Sequence, residues 1–472
     1  MTQDPAAQIP ARAEVVVCGA GIAGIALAHR LTVHAGVRDV LLVDPRPPLS
    51  LTSDKSTEAY RNWWPGPDDA MVRLMNRSSD LLEELARQSD NVFRLNRRGY
   101  LYATVHPVHL QELEAAAARA EALGAGPLRW HTAASRSYQP GSAEGFETAH
   151  EGDATGSAAG ADLLLGPLVN ARFPFLAPDV AGVLHVRRAG WFSGQQLGMH
   201  LLEQATQHGA RLVRGRITAI DRAAGHVVGV ELDCAGRALR VATGCFVDAA
   251  GPYVGTVAEM LGVTLPVFSE RHLKASFRDR LGVIPRDAPL LIWEDAQELA
   301  WTPDERAALA DSPETRWLLE RFPPSVHSRP EGGPGSDNIL ILWPYDTEPV
   351  QPVEPLPESP GFAEIALRGM SRMIPGLRAY FDPVPRAFID GGYYTKTREN
   401  RFLSCPLPVP GAFVIGALSG YGLMAAPGAA EILAAHITGG ELPAYAPAFA
   451  LERYADPEYL RRLKDWGPTG QL

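Results

Sequence analysis

Residues Val15 to Asp44 constrain this chain more than any other stretch. An apolar run, Val15-Val16-Val17-Cys18, leads into Gly19-Ala20-Gly21-Ile22-Ala23-Gly24. A helical pattern follows through Ile25, Leu27, Ala28 and Leu31. A second apolar run, Val40-Leu41-Leu42-Val43, ends at Asp44, 20 residues past Gly24. Strand, glycine turn, helix, return strand and acid, in that order, make a dinucleotide-binding unit. Gly19 permits the sharp turn, Gly21 lets a pyrophosphate approach the backbone, and Gly24 lets helix and strand pack closely. The helix start offers free N–H groups and a positive dipole end to phosphate. Asp44 is placed to accept hydrogen bonds from ribose hydroxyls. A glycine triplet alone would be weak evidence; its position between a strand and a helix is what makes it specific.

Length and charge narrow the class further. At 472 residues the chain exceeds one small domain, and 46% hydrophobic residues are ample for a buried core. A net charge of −10 argues against sequence-independent nucleic-acid binding, which needs a basic face. The chain has no long apolar run, so no transmembrane segment is expected. The opening MTQDPAAQIP lacks the apolar core of a signal peptide, and a cytoplasmic location is expected. Cys18, Cys234, Cys245 and Cys405 show neither a CxxC pair nor metal-ligand spacing, so they read as small hydrophobes and no metal site is expected.

Along the chain, Thr52 to Trp64 is dense in hydroxyls, carries Arg61 and closes on two tryptophans. Helices are expected over 68–88, 110–123, 195–208 and 362–373. Strands are expected over 99–104, 211–214, 216–220, 227–232, 272–277, 290–293 and 339–343. Residues 150–162 and 329–338 read as polar loops, and 350–360 as a proline-rich linker. The stretch Cys245 to Tyr253 is a buried strand running into a glycine turn. No second dinucleotide fingerprint is present.

The last quarter holds the other informative stretch. Asp390 to Arg401 is polar and aromatic. A strand over 412–415 then meets Gly416-Ala417-Leu418-Ser419-Gly420-Tyr421-Gly422-Leu423-Met424, which opens a helix running to about Thr438. Two strand–glycine loop–helix units can aim two helix N-termini at one ligand. A helix N-terminus beside the negative charge of a reduced flavin would stabilise it by roughly 0.3–1 kcal/mol or more, favouring hydride acceptance.

Gly19-x-Gly21-x-x-Gly24, Ala249-Ala250-Gly251 and Ser419-Gly420-Tyr421-Gly422, in this order over nearly the whole chain, resemble the D-amino-acid oxidase superfamily. Glycine oxidase, sarcosine oxidase and dimethylglycine dehydrogenase belong to it. The resemblance implies an α/β fold: a Rossmann-like FAD-binding domain with an interleaved α+β substrate domain, its sheet mixed and largely antiparallel. The FAD-binding domain is expected to comprise residues 1–93, 186–262 and 389–472, and the substrate domain 94–185 and 263–388. FAD contacts are implied for Gly19, Gly21, Ile22, Ala23, Gly24, Asp44, Ala250 and Gly251. Ile217 is implied at the adenine. Ser53, Ser56, Thr57 and Arg61 are implied near the pyrophosphate or flavin ring. Gly420, Tyr421, Gly422, Leu423 and Met424 are implied at the flavin's pyrimidine edge.

The departures from the family are informative. Gly392 stands where covalently flavinylated sarcosine oxidases place a cysteine, and Glu58-Ala59 follow Ser56-Thr57 where dimethylglycine dehydrogenase-like members carry a histidine. FAD is therefore expected to be non-covalent. Tyr394 stands near the position of the arginine that clamps a substrate carboxylate in glycine-oxidase-like members, leaving Arg398, Arg401 or Arg271 to take that role. The implied reaction is hydride transfer from a carbon bearing an amine, followed by imine hydrolysis. His272, Tyr394 and Arg398 are the candidate catalytic residues, with His272 accepting a proton from the amine. Trp63 and Trp64 are candidates for an aromatic roof. The implied partners are a small amine or amino acid and an electron acceptor, either oxygen or another protein, with oligomer formation possible. Two other readings stand beside this one: a 2-hydroxy-acid oxidoreductase on the same fold, and a flavin-binding subunit of a hetero-oligomer.

Overall fold

The computed structural model describes residues 9–132, 138–139, 146, 159–333 and 335–466. Its organising element is a six-stranded sheet in the order Leu403–Pro406, Ala412–Gly416, Phe246–Asp248, Val15–Cys18, Val40–Asp44, Ala210–Arg214. Every neighbouring pair is parallel except the first, which is antiparallel. A parallel sheet is covered on both faces, which is why its strands read as continuous apolar runs. Period-two alternation sends Val15, Val17 and Leu42 into one core and Val16, Leu41 and Val43 into another. On the first face the helices Ile22–His29, Gly194–Gln207 and Gly422–Thr438 pack together. The second is covered by the antiparallel sheet Arg216–Ala223, His226–Cys234, Arg237–Ala242.

Three adjacent parallel strands end at Cys18, Asp248 and Gly416, so all three glycine-bearing loops leave the same edge of the sheet. That is where ligands bind in open α/β sheets.

A second, ten-stranded sheet holds Phe268–Arg278, Asn338–Leu342, Val326–Pro330, Leu290–Trp293, Tyr100–Thr104 and Gly182–Val186 at its centre. It is mixed and mostly antiparallel; Leu290–Trp293 beside Tyr100–Thr104 and Leu128–His131 beside Ala161–Leu165 are its parallel pairs. The helix Phe362–Met370 closes its core. The fold is thus α/β, with a Rossmann-like sheet and a mixed, largely antiparallel one.

Differences from the sequence reading have physical causes. Helices form at Ala70–Gln88, Pro107–Ala122, Gly194–Gln207 and Phe362–Met370, each within a few residues of expectation. Residues 150–158 of the expected polar loop lie outside the described residues, and Ala161 and Asp162 begin a strand instead. Arg329 and Pro330 belong to the strand Val326–Pro330, whose buried His327, Ser328 and Arg329 disguise it as loop. The strand Phe388–Lys396, mostly beyond the expected domain boundary at 389, pairs along Phe268–Arg278 of the large sheet.

Candidate active site

The first glycine loop is held by close approach. Gly19 sits at φ +115°, and a Cβ there would lie 2.3 Å from Ala249 O. A Cβ on Gly24 would lie 2.1 Å from Gly19 O. Gly21 is different: its nearest neighbour would be Ser53 Oγ at 3.3 Å, so the space over its Cα faces a cleft. Gly21, Ile22, Ala23, Ser53, Ser56 and Gly251 line that cleft on one side. Gly420, Gly422 and Leu423 line it on the other. Ser53 Oγ accepts from Ile22 N–H at 3.0 Å, which ties the hydroxyl-rich loop to the helix start. In the second glycine loop, Ala417 (φ +58°) and Ser419 (φ +51°) hold left-handed conformations that cost energy and are kept by their surroundings. The helix that follows starts at Gly422 with its free N–H groups beside the cleft.

Asp44 receives Ala20 N–H on Oδ2 and Arg46 N–H on Oδ1, both at 2.8 Å. Ala250 N–H bonds Asp248 Oδ1 at 3.1 Å. Ile217 is buried, and its side chain joins the core that holds Val43. Asp44 and Ile217 do not line the cleft itself; Gly215 N–H bonds Asp44 O at 3.0 Å and keeps the two segments adjacent.

Strand alternation along Phe388–Lys396 divides its side chains between two spaces. Tyr393 and Thr395 face the cleft, and Tyr394 faces a neighbouring buried pocket. Thr57, Arg61, His272, Tyr394, Tyr421 and Met424 line this pocket, and Gly420 lines both spaces. His272 stacks on Tyr394 with ring centroids 4.1 Å apart and planes 15° from parallel. Its Nε2 lies 3.0 Å from Glu270 Oε2, and its Nδ1 has no hydrogen-bond partner among the described residues. Burial lowers the His272 pKa even against the pull of Glu270. Burial would raise Glu270, but His272 and Lys396, whose Nζ lies 2.6 Å away, hold it below the ordinary range. His272 is therefore neutral, protonated at Nε2 and basic at Nδ1. His327, also on this pocket, gives its Nδ1–H to Ser325 O at 2.9 Å, and burial pushes it down to about 4.

Arg61 is buried. Its Nε donates to Trp63 O at 3.2 Å, and its guanidinium carbon lies 4.5 Å from the Trp64 ring centroid and 5.6 Å from that of Tyr100. It lines both the His272 pocket and a larger outer chamber of about 700 Å³, which Trp63, Trp64 and Tyr102 also line. Cofactor cleft, pocket and chamber are thus neighbours, the first two sharing Gly420 as a wall and the last two Arg61.

Other candidates fall elsewhere. Arg398 is exposed on the turn after its strand, between buried Thr397 and Glu399, and lines none of these spaces; Arg401, three residues on, is buried at the chamber with Asp68 as its ion-pair partner. Arg271 reaches Pro357 O and Asp346 outside the pocket. Sequence reasoning missed Glu270, His327 and Arg329. Arg329 holds the loop that supplies Ser56 and Thr57, donating from Nε to Thr57 O at 2.8 Å and pairing with Glu58 at 3.3 Å. Glu270 carried one signal: it lies two residues from His272, on the same strand face.

With this geometry in view, a family model described as FAD-dependent oxidoreductase matches residues 14–436. The chain belongs to that family. Its activity is FAD-dependent oxidoreduction, and FAD is its cofactor. The site fits that group: one glycine leaves room for a pyrophosphate, and two helix starts converge on one cleft. No curated protein matches the sequence. Solved structures similar to it share the fold. L-proline dehydrogenase from P. horikoshii is 17% identical, with 95% of this chain and 99% of that one covered, at a TM-score of 0.69. Glycine oxidase from Geobacillus kaustophilus is 15% identical, with 94% and 99% covered, at 0.70. Iminodiacetate oxidase from Chelativorans sp. BNC1 is 17% identical, with 93% and 98% covered, at 0.65. Among the described residues, no helix is long and apolar enough to cross a membrane.

Proposed function

We propose that this oxidoreductase oxidises the C–N bond of an amine or amino acid, and that the resulting imine hydrolyses. The observation that carries the reading is a buried base, the His272–Glu270 pair, in a pocket that shares Gly420 with the cofactor cleft. FAD, when bound, supplies the hydride acceptor. Gly19, Gly21, Ile22, Ala23, Gly24, Ser53, Ser56 and Gly251 would hold its pyrophosphate side; Gly420, Gly422 and Leu423 would hold its ring.

The chain's own residues do the rest. Arg61 offers a guanidinium to a substrate carboxylate, fixed between two rings so that little freedom is lost on binding. Nδ1 of His272 takes a proton from the amine, leaving the nitrogen lone pair free to form the C=N bond as hydride departs. Trp63 and Trp64 cover the pocket on the chamber side and limit water. Water then adds to the imine, giving a carbonyl compound and releasing ammonia or an amine. The names of the structural neighbours, which include proline dehydrogenase and glycine oxidase, support an amine substrate.

One observation favours a second reading, a 2-hydroxy acid. An alcohol O–H does not ionise near neutral pH, so it has to be deprotonated as hydride leaves, and the same His272 base would serve that step. Anaerobic absorbance spectra with amines, amino acids and hydroxy acids decide between them. Bleaching by an amine class supports the first reading; bleaching by hydroxy acids alone overturns it.

A further inference from the structure

The outer chamber contains a carboxyl group that the reaction does not use. Glu294 follows the strand Leu290–Trp293, and its N–H bonds Ala103 O at 3.0 Å. The parallel pairing places Ile292 opposite Tyr102, so Glu294 continues the face that carries Tyr100 and Tyr102 toward Arg61. Its neighbour Asp295 points the other way and is fully engaged, accepting from Thr104 Oγ1 at 2.6 Å and Val105 N–H at 2.8 Å and meeting His109. The Glu294 side chain has no hydrogen bond or ion pair within the described residues, although it is half-buried on the chamber wall.

The surrounding wall is aromatic and short of partners. Trp63, Trp64, Tyr102 and Trp466 line the chamber, and Trp63 Nε1, Trp64 Nε1 and Tyr102 O–H are buried without hydrogen bonds among the described residues. Of the other ionic groups on the wall, Arg401 is paired with Asp68, Glu399 with Arg453 and His109 with Asp295, Arg119 donates to Pro65 O, and Glu112 adds a second, exposed carboxylate at the rim. A carboxylate set among π-faces is how proteins hold an ammonium or guanidinium group. We infer that Glu294 and these rings form a subsite for a second, distal cationic group of the substrate. The enzyme then takes an amine or amino acid whose carboxylate meets Arg61 and whose side chain extends through the chamber to a basic end. Burial, with Asp295 beside it, pushes Glu294 up to about 7, and an arriving cation would draw it back to the ionised form.

This inference rests on the amine reading for turnover but not for binding, so two measurements separate them. The FAD-loaded protein is titrated with butylammonium and with 1-butanol, a neutral chain of the same length, by calorimetry. Butylammonium is expected to bind, butanol at least 10-fold more weakly, and Glu294→Gln to remove the difference without changing FAD content or melting temperature. Equal binding of the two probes, or an unchanged preference in E294Q, overturns the inference. Turnover is then compared for lysine, arginine and norleucine. A KM at least 10-fold lower for the basic amino acids, abolished in E294Q with kcat kept, supports the subsite in catalysis. If hydroxy acids alone bleach the flavin while butylammonium still depends on Glu294, the amine reading fails and the subsite stands.

Discussion

His272 lies flat on Tyr394, 4.1 Å between ring centroids, with Nε2 held 3.0 Å from Glu270 Oε2. The stack fixes the plane of the imidazole and the carboxylate fixes its tautomer, so Nδ1 alone remains to take a proton. His272→Asn is expected to lower turnover about 100-fold or more while the spectrum of bound FAD is kept. Glu270→Gln keeps the shape and removes the charge, and should cost roughly 10-fold, since it orients the base rather than replacing it. Wild-type turnover in H272N, measured at saturating substrate, would remove His272 from the mechanism.

The glycines of the first loop separate binding from folding. A side chain on Gly24 meets backbone at 2.1 Å, which nothing nearby can yield, whereas one on Gly21 meets only the Ser53 hydroxyl at 3.3 Å. Gly21→Val is therefore expected to give folded, colourless protein with little FAD. Gly24→Val is expected to give little soluble protein at all. Full FAD occupancy in G21V, read from its absorbance ratio, would contradict the cleft assignment.

Attachment of the cofactor follows from Gly392. A Cβ there would lie 3.2 Å from Lys55 Cβ and from Thr52 Cα, so no larger side chain is accommodated without displacement. With no cysteine at this point, FAD should leave with the supernatant when the protein is precipitated by acid. Yellow colour retained in the pellet would mean covalent attachment elsewhere.

The parts legible in the sequence were those where residue type dictates backbone. Gly19, Gly24 and the loop before Gly422 need conformations or contacts that few residues tolerate, so they show through. The apolar strands of a parallel sheet show through because both faces are buried. The His272 pocket was harder to see, because its wall is a strand whose inward side chains are polar. Val326–Pro330 has the composition of a loop until burial is known. Arg398 and Arg401 are indistinguishable in sequence, and only the turn between them sends one to solvent and the other inward. Arg61 showed its density of neighbours but not its place at the junction of pocket and chamber.

Arg61 at that junction should govern substrate affinity. Charge-assisted hydrogen bonds contribute about 1.5–3 kcal/mol, so Arg61→Ala is expected to lower kcat/KM by roughly 10- to 100-fold for a substrate with a carboxylate. For an amine without one the loss should be much smaller. Arg61→Lys should recover only part of it, because an ammonium cannot present the planar fork or stack as well on Trp64. Equal losses for both substrate types, in steady-state kinetics, would mean that Arg61 acts through packing alone.

Far from the pocket, His185 makes stability depend on pH. It is buried, with Nε2–H donating to Arg98 O at 3.0 Å and Nδ1 facing the Tyr138 hydroxyl at 2.9 Å and Arg187 at 3.1 Å. Burial, reinforced by Arg187, lowers it from 6.5 to about 3. Between those values the unfolded chain binds the proton and the folded one does not, so stability rises with pH across the window. The contribution is complete above 6.5 and is lost as pH falls toward 3. From pH 7 to 4.5 that loss is on the order of 2 kcal/mol. His185→Gln keeps a donor for Arg98 O and removes the titration. The stability gap between wild type and H185Q should therefore narrow by about this amount between urea denaturation curves at pH 7 and pH 4.5. A gap that does not change with pH would mean that His185 takes up its proton as readily in the folded protein as in the unfolded chain, and that burial with Arg187 does not hold it neutral.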